Sequence, residues 1–491
     1  MKKEKNLKIN ALLGILNTFV SMIFPLITFA YASRILAPEG IGLTQLATSV
    51  TSYFELFASL GIPLYATREI SKIRDNKRLQ DSTASEIFWT NLINALFMYI
   101  LYVIFIIIMY GNSTSYFTIF LIYGTTIIST AIGVEWYYKA EEEFEYITIR
   151  NIVVKSLCLL LILLFVKDQS DIVIYSLIYI GSIMGYSLVN LIKFITKTKP
   201  KLTKFNIFKH IKPALTVFIM SVATTIYCSV DTLMLGYLTG SQGEYNVGIY
   251  SAVFKITSAA IAIITAINSI MLPRLSYYYT NNRIEEIKGI LNTCYKIILM
   301  FSIPLVAACE ILPKHVIYLI SGEEFIAGYQ ALQIIAPIIL FVSLTNLIGI
   351  QIFYSSGNIK KTIISVLFGA ICNVICNSIL IPVLDVRGAA IGTLVAEFTV
   401  LIVQVIIGKN LLIFKKFDKN IVKYILSTLL MSMFVLILKE KLPFSYIPSL
   451  LICAIVGILV YFLLLIILKE ELTIYSLKTI INKLRRKQNE V

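Results

Sequence analysis

Charged residues are scarce in this chain. They make up 14% of its 491 positions, whereas apolar residues make up 58%. A soluble globular domain has about a quarter charged residues, so this sequence has too little polar surface to cover a water-soluble fold. No segment has the composition of a separate soluble domain. The chain is therefore predicted to be a polytopic membrane protein, and its net charge of +15 is expected at the membrane surface, not on a nucleic-acid-binding face.

Histidine is nearly absent, and no cysteine lies in a polar loop. The two histidines, His210 and His315, fall in predicted loops, which argues against a metallohydrolase or a histidine general base. All seven cysteines lie in or beside apolar runs, so no disulfide framework is expected. Cys372 and Cys376 are one helical turn apart, but without further ligands nearby they favour helix packing over a zinc site. No metal site and no cofactor is predicted.

Long apolar runs are abundant, and they predict the fold. A membrane-spanning helix needs about 20 predominantly apolar residues. Runs of this length without strict alternation are helices and not strands of a closed barrel. The predicted fold is an all-α polytopic membrane protein with 14 transmembrane helices. The spans cover residues 9–32, 41–64, 86–109, 116–138, 147–166, 172–195, 213–237, 246–272, 289–312, 329–353, 362–383, 388–408, 421–438 and 446–468.

The placement of basic residues tests this count independently. When alternate loops are assigned to opposite sides, 34 of the 43 lysines and arginines fall on one side, 6 on the other and 3 within spans. Basic loops stay in the cytoplasm, so both termini are predicted to be cytoplasmic. The outer loops are all short, and the longest runs from about Pro313 to Gly328. Loops of this size leave little room for the acid/base chemistry of a glycosyltransferase or polymerase, so the protein is not expected to be an enzyme.

The two halves of the chain contain an internal repeat. A shift of 206 residues aligns Arg68 with Arg274 and Gly42 with Gly248. Spans 1–6 and 7–12 then form two lobes of the same orientation, a transporter architecture with the substrate path between the lobes. The predicted parts are an N-lobe over residues 1–200, a C-lobe over 201–410, and a C-terminal part over 411–491 with spans 13 and 14 and an amphipathic cytoplasmic tail.

Three stretches of the sequence resemble a known family. They are Tyr31-Ala32-Ser33-Arg34-Ile35-Leu36, the Glu135-Trp136 pair with Ala140 and Glu142, and Leu272-Pro273-Arg274-Leu275-Ser276. They resemble the oligosaccharide flippases, the Wzx-type and teichoic-acid branch of the multidrug/oligosaccharidyl-lipid/polysaccharide (MOP) exporter superfamily. The Pro-Arg-Leu-Ser element is also similar to the lipid II flippase branch. The resemblance covers essentially the whole chain and implies two MATE-like six-helix lobes plus two C-terminal helices.

The same resemblance implies a function. The substrate would be an undecaprenyl-diphosphate-linked repeat unit of a capsule or teichoic acid, translocated from the inner to the outer leaflet of the bacterial cytoplasmic membrane by alternating access. The expected partners are the lipid bilayer, this lipid-linked oligosaccharide and polysaccharide assembly enzymes, with coupling to H⁺ or Na⁺ and no nucleic acid. The alternative is a cation-coupled multidrug antiporter of the MATE type. A basic Lys255 argues against it, because a cavity for cationic drugs should be lined by acids and aromatics.

Ionisable residues inside predicted spans are candidate site residues, since each costs roughly 2.5–3.5 kcal/mol to insert. Lys255 lies in the middle of span eight, and the resemblance implies that it faces the central cavity and binds substrate. Its alternative role is a buried ion pair with Asp231 or Glu55. Asp231 and Glu55 are in turn either ion-coupling carboxylates or partners of that lysine. Glu397, deep in span twelve, is expected to support the second lobe.

Arginines at span ends are the other candidate substrate ligands. Arg68 and Arg274 end spans two and eight on the cytoplasmic side, where they either anchor to headgroups or capture the lipid diphosphate bidentately. Arg34 ends span one at the outer mouth, where substrate is released. Aromatic side chains near other span ends are predicted to anchor at the membrane interface. They are Tyr137, Tyr138, Tyr277, Tyr278 and Tyr279.

The predicted topology can be tested by single-cysteine labelling in a cysteine-free background. Cysteines at Asn281 and Lys416 should react only from the cytoplasmic side, and cysteines at Gly240 and Glu440 only from outside, because the basic loops stay in the cytoplasm. Labelling of position 281 from outside would contradict the count of spans.

Overall fold

A computed structural model of the protein describes residues 7–111, 113–200, 207–269, 271–412 and 419–475. Every regular element in these ranges is helical, which confirms the predicted all-α fold. The α-helices are α1 (Leu7–Ser59), α2 (Ile62–Lys72), α3 (Lys77–Tyr110), α4 (Thr114–Ile132), α5 (Glu135–Ala140), α6 (Phe144–Phe165), α7 (Ile172–Thr198), α8 (Ile207–Leu238), α9 (Gly243–Ser269), α10 (Leu272–Thr280), α11 (Ile284–Ile311), α12 (Pro313–Ser321), α13 (Tyr329–Ile335), α14 (Ile338–Asn346), α15 (Ile359–Gly408), α16 (Lys419–Lys441) and α17 (Tyr446–Ile467). Short 3₁₀ helices and a π-helix complete the set at Gln169–Asp171, Gly240–Gln242, Glu323–Gly328 and Leu347–Tyr354.

Two of the helices each contain a break where the sequence predicts a turn between spans. Helix α1 is non-helical at Ala37 (φ 58°, ψ 176°), directly before Pro38. A proline disfavours helical geometry in the residue before it, which explains the position of this break. Helix α15 is non-helical at Asp385 (φ 49°, ψ −125°), three residues after Pro382. Each of these long elements therefore consists of two helices.

Nine helices of the described residues are long and apolar enough to cross a membrane. A tenth qualifies if Glu323–Ile335 and Ile338–Tyr354, which are bent by 53°, form one broken span. Helix α15 counts once among the nine, although it contains predicted spans 11 and 12. The protein is thus a multi-pass membrane protein, and the total of 14 spans stays a prediction.

The chain forms two compact units. Unit 1 comprises Met1–Ser251 and Asn373–Ala389, and unit 2 comprises Ala252–Cys372 and Ala390–Val491. The predicted lobe boundaries near residues 200 and 410 stay predictions. Residues 413–418, with the predicted cytoplasmic marker Lys416, and residues 476–491 of the predicted amphipathic tail lie outside the described residues.

The core of unit 1 is aromatic and contains polar groups that are paired within it. The fully buried Tyr102 donates its hydroxyl to the Phe120 carbonyl at 2.7 Å and lies within hydrogen-bonding distance of Thr51 at 3.2 Å. Gly124 makes room for this ring, since a Cβ there would lie 2.2 Å from it. Lipid supplies no hydrogen-bond partners, so buried hydroxyls must find them inside the protein.

In unit 2, helices α11, α16 and α17 pack around a second core. The buried Tyr461 of α17 donates to the Met300 carbonyl of α11 at 2.7 Å. Lys296, also on α11, pairs with Glu471 at 2.7 Å. The charge that the sequence places within span nine is therefore neutralised by an acid that follows span fourteen.

Two expectations about single residues are wrong. Tyr137 and Tyr138 are fully buried and do not anchor at the membrane interface. They pack with Phe194 in a core cluster, because the short helix α5 turns them inward. His210 and His315 lie in helices α8 and α12 and not in loops, because α8 begins before the apolar run of span seven and α12 is a separate short helix after α11.

A close helix approach recurs at equivalent positions of the repeat. A Cβ on Gly42 would lie 1.8 Å from the Glu244 carbonyl oxygen, and a Cβ on Gly248 would lie 1.9 Å from the Pro38 carbonyl oxygen. The shift of 206 residues that aligns Gly42 with Gly248 also aligns Pro38 with Glu244. The contact is therefore reciprocal, and it supports the internal repeat.

Replacing either glycine should be costly. Gly42→Ala or Gly248→Ala forces a methyl group into a backbone carbonyl and should destabilise the protein by about 1–3 kcal/mol or more. Gly181→Ala is the control, because a Cβ at this position in α7 meets nothing within 4 Å, and alanine favours helix over glycine. Thermal unfolding of the purified proteins in detergent measures the difference. Equal unfolding temperatures for the three variants would contradict the close approach.

Candidate functional site

Unit 1 contains a cavity of about 540 Å³, within the roughly 300–1,000 Å³ that small-molecule sites occupy. Its wall comes from α1, α2, α4, α5, α7 and the link between α4 and α5. It is rich in hydroxyl groups and contains charged and aromatic side chains beside apolar ones. The lining residues are Glu55, Pro63, Leu64, Thr67, Thr126, Ser129, Thr130, Gly133, Val134, Glu135, Trp136, Lys139, Ile183, Tyr186 and Ser187.

A helix break forms one side of this cavity. Helix α4 ends at Ile132, and α5 begins at Glu135. Between them Val134 has φ 34° and ψ 29°, a left-handed conformation that is rare for a β-branched residue. Strain of this kind persists only where surrounding contacts enforce it, and it is concentrated at functional sites. The break brings Glu135 and Trp136, two residues of the family resemblance, to the cavity wall.

The carboxylate of Glu135 is held between two cations. It lies 2.9 Å from the Lys139 ammonium and 3.2 Å from the Arg150 guanidinium. The Arg150 side chain is only 4% exposed. It also donates to the Asn190 side chain and lies 5.1 Å from the centre of the Tyr186 ring. Charge-assisted hydrogen bonds are the stronger ones, so this network fixes both cations at the cavity.

Asn190 of α7 links the helix break to its neighbours. Its amide donates to the Gly133 carbonyl at 2.6 Å, and its side-chain oxygen accepts from Arg150 and from the Tyr146 hydroxyl at 3.0 Å. Its backbone carbonyl accepts from the Tyr138 hydroxyl at 2.8 Å. The side chain of Asn190 therefore satisfies groups of the α4–α5 link and of α6, its backbone satisfies a group of α5, and together they hold the break in place.

A second charged cluster joins the end of α7 to the turn after α5. Lys193 lies 2.6 Å from Glu143, and Lys197 lies 2.8 Å from Glu143 and 3.2 Å from Glu141. Burial raises the pKa of the Glu143 carboxyl, but hydrogen bonds from the two lysines outweigh burial, so the pKa lies below its ordinary value. A lowered carboxyl pKa stabilises the fold at neutral pH, and that contribution is lost as the pH falls through it. Lys193 and Lys197 are thus both paired with acids.

A second candidate site in unit 1 surrounds Asp231, two turns before the end of α8. This side chain is buried, and its carboxylate accepts from the Tyr250 hydroxyl at 2.7 Å. It also accepts from Asn373 at 2.9 Å and from Asn377 at 2.6 Å. The side-chain oxygen of Asn377 has no hydrogen-bond partner among the described residues. An ionised carboxylate only accepts hydrogen bonds, and three donors converge on this one.

The remaining predicted site residues occupy separate places. Glu55 lines the cavity together with Glu135 and Trp136. Arg34 is exposed on α1 and donates to the Ala30 carbonyl one turn earlier. The others are Arg68, exposed on α2; Arg274, exposed on α10; Lys255, half-buried on α9; and Glu397, buried on α15. Their roles stay predictions.

Comparison with known proteins identifies the family. The sequence model described as polysaccharide biosynthesis protein matches residues 7–279, more than half of the chain. The chain belongs to the polysaccharide biosynthesis protein family. A second model, MatE, matches residues 216–379.

Relatives of this family member include two bacterial proteins. A putative O-antigen transporter of Escherichia coli (strain K12) is 25% identical over 357 residues, which cover 71% of this chain and 83% of the relative. A putative O-antigen transporter of Shigella dysenteriae is 24% identical over 409 residues, which cover 81% of this chain and 98% of the relative.

Solved structures agree on the fold. The lipid II flippase MurJ in an inward closed conformation has a TM-score of 0.71 at 18% identity, covering 94% of this chain and 99% of MurJ. An inward-facing MATE family transporter of the MOP superfamily has a TM-score of 0.62 at 17% identity, covering 79% and 93%. At these identities the likeness concerns the fold alone. Together with the family match, it confirms the resemblance to the oligosaccharide flippases of the MOP superfamily.

Sequence reasoning missed several residues of these two sites in the family member. Arg150 is not among the residues singled out from the sequence, yet it is the buried partner of Glu135. Asn373 and Asn377 were overlooked, although their spacing of four residues places both on one helix face. Amides repeated at that spacing in an apolar span were the available signal. Asn190 carried no such signal, because its partners come from three separate segments: the α4–α5 link, α5 and α6.

The buried guanidinium should matter more than an exposed one. Arg150→Met removes charge-assisted hydrogen bonds and should destabilise this family member by about 1.5–3 kcal/mol. Arg150→Lys should recover only part of that, because an ammonium lacks the planar fork that reaches Glu135 and Asn190 together. The control is Arg283→Met, since the Arg283–Glu286 pair is exposed and 3.7 Å long, and such pairs contribute less than about 1 kcal/mol.

Thermal unfolding in detergent provides the comparison for these variants. A loss for Arg283→Met as large as that for Arg150→Met would show that the Arg150 network does not hold the site.

Proposed function

We propose that this protein moves an undecaprenyl-diphosphate-linked oligosaccharide from the inner to the outer leaflet of the bacterial cytoplasmic membrane. The family match over residues 7–279 carries the proposal, because it contains all three resembling stretches. The names of the O-antigen transporter relatives and the fold shared with a lipid II flippase support it. The repeat unit is proposed to belong to a capsule or teichoic acid, and assembly enzymes for that polymer are the proposed partners.

The chemistry of such a substrate requires cations and a polar route. A diphosphate cannot enter hydrocarbon without compensation of its charge, and Lys255 of predicted span eight would provide it. Arg68 and Arg274 would capture the diphosphate at the cytoplasmic mouth, and Arg34 would release it at the outer mouth. The glycan would travel through polar cavities while the prenyl tail stays in lipid. Alternating access of two lobes, with both termini cytoplasmic, is the proposed cycle.

Coupling to an ion gradient is proposed to occur at Asp231. The buried carboxylate is held by Tyr250, Asn373 and Asn377, and ionisable groups within a membrane commonly mark ion pathways. The coupled ion would be a proton or a sodium ion. Transport into proteoliposomes with an imposed pH or Na⁺ gradient distinguishes them, and Asp231→Asn should abolish the dependence on the effective gradient.

A cation-coupled multidrug antiporter is the second candidate. The MatE match over residues 216–379 favours it, as do the acid Glu55 and the aromatic Trp136 in the cavity. Against it, Lys139 and Arg150 neutralise Glu135, so the cavity has little net negative charge to attract a cationic drug.

A deletion strain separates the two functions. Loss of the flippase should reduce surface polysaccharide and accumulate lipid-linked repeat units inside, with drug susceptibility unchanged. Loss of an antiporter should raise drug susceptibility and leave the polysaccharide intact. The second outcome would overturn the proposal.

Charge at Lys255 should decide transport. Lys255→Arg should retain most export of repeat units, whereas Lys255→Met, similar in length but neutral, should reduce it roughly tenfold or more, since a factor of ten corresponds to about 1.4 kcal/mol. Lys255→Glu should fail even with Asp231→Lys added, because a restored ion pair does not restore an anion site. The control is Lys288→Met, which removes the same charge from an exposed pair with Glu285 and should leave export unchanged.

Export is measured at matched membrane abundance of each variant. Full export by Lys255→Met, or rescue by the charge swap, would make the lysine a structural partner and not a substrate ligand.

A further inference from the structure

Two buried polar groups in the wall of the cavity have no partner. Trp136 is 3% exposed and Ser187 is 1% exposed. Neither the indole N–H of Trp136 nor the hydroxyl of Ser187 has a hydrogen-bond partner among the described residues. Both residues line the 540 Å³ cavity. Buried polar groups are nearly always hydrogen-bonded, so these two indicate a polar occupant of the cavity.

The charges of the cavity limit what that occupant can be. Glu135 is neutralised by Lys139 and Arg150, and Glu55 brings a further carboxylate. Lys139 and Arg150 are thus already engaged by an acid and offer no free charge to a phosphate. The cavity therefore fits a neutral ligand better than a diphosphate or an acidic sugar.

The remaining wall defines the ligand further. An indole N–H can only donate, so it needs an acceptor such as a carbonyl oxygen. Glu55 offers acceptors for hydroxyl or amide N–H groups, and Leu64 and Ile183 offer an apolar surface for a methyl group. A carbonyl, an N–H, hydroxyls and a methyl occur together in an N-acetylated amino sugar.

We infer that this cavity is a glycan subsite that binds a neutral N-acetylated sugar of the transported oligosaccharide. The inference rests on the proposed function for the identity of the glycan, but the subsite itself can be tested without transport. Under the predicted topology the cavity lies toward the cytoplasmic ends of the helices, where the glycan is loaded. Phosphate recognition would then belong to other residues, and sugar recognition to Trp136, Ser187 and Glu55.

The two tryptophans of the chain make a direct binding test possible. Trp89→Phe leaves Trp136 in the cavity as the single fluorophore, and Trp136→Phe leaves Trp89, which does not line it. The full-length variants are titrated in detergent with methyl N-acetylglucosaminide. Fluorescence of Trp136 should change saturably, with a dissociation constant on the order of a millimolar for so small a ligand, and fluorescence of Trp89 should not.

Related probes and a matched serine pair test the chemistry. Methyl glucoside, which lacks the amide, should bind about tenfold more weakly because the buried donor stays unpaired, and inorganic pyrophosphate should give no saturable change. In the Trp89→Phe background, Ser187→Ala should weaken binding of the N-acetylated probe several-fold. Ser182→Ala should not, since this hydroxyl of the same helix already donates to the Tyr179 carbonyl at 2.7 Å.

Each alternative occupant has its own outcome. No saturable response to the N-acetylated probe would mean that the cavity holds water only, and this would overturn the inference. A response to pyrophosphate or to tetraphenylphosphonium as strong as that to the sugar would identify an anion or a drug cavity and overturn it as well. The deletion strain gives an independent result: probe binding with unchanged surface polysaccharide would support the subsite while the proposed function fails. Loss of surface polysaccharide in the deletion strain without probe binding would support the proposed function while the subsite fails.

Discussion

The burial of the Arg150 guanidinium is the interaction on which the N-terminal half of unit 1 depends. A guanidinium cannot shed its charge and has five N–H donors to satisfy, so its surroundings must supply acceptors. Glu135, Asn190 and Asn151 do so. Because Asn190 also holds the Gly133 carbonyl, the same interaction fixes the helix break, and the break in turn shapes the cavity. Charge burial, helix geometry and the cavity wall are thus linked through one residue.

The two candidate sites of unit 1 use buried charge in opposite ways. In the Glu135 network, the acid is neutralised by cations, and the adjoining cavity retains unpaired neutral groups that suit a sugar. Around Asp231, the neutral donors Tyr250, Asn373 and Asn377 converge on the acid. The proposed function assigns cargo recognition to the first site and coupling to the second, and the physical difference between them is consistent with that division.

Much of the fold could be predicted from sequence because lipid leaves few choices. Apolar length predicted the helices, and the gaps between successive apolar runs predicted the breaks at Ala37 and Asp385. Single-residue environments were harder to predict. Tyr137 and Tyr138 were assigned to the interface, because nothing in the local pattern reveals that α5 turns inward after Val134. The partners of Arg150 and Asp231 could not be predicted either, since they come from helices far apart in sequence and depend on packing.

The reciprocal contact between Gly42 and Gly248 has the form of an interface between two copies of one chain. In a two-fold symmetric pair, residue i touches j and residue j touches i, and here Gly42 meets Glu244 while Gly248 meets Pro38. A half-length chain that paired with itself would form both contacts from a single sequence element. Only a backbone carbonyl and a missing Cβ are required at each contact. The residues that supply those backbone carbonyls were therefore free to change their side chains after a duplication. They are now Pro38 and Glu244.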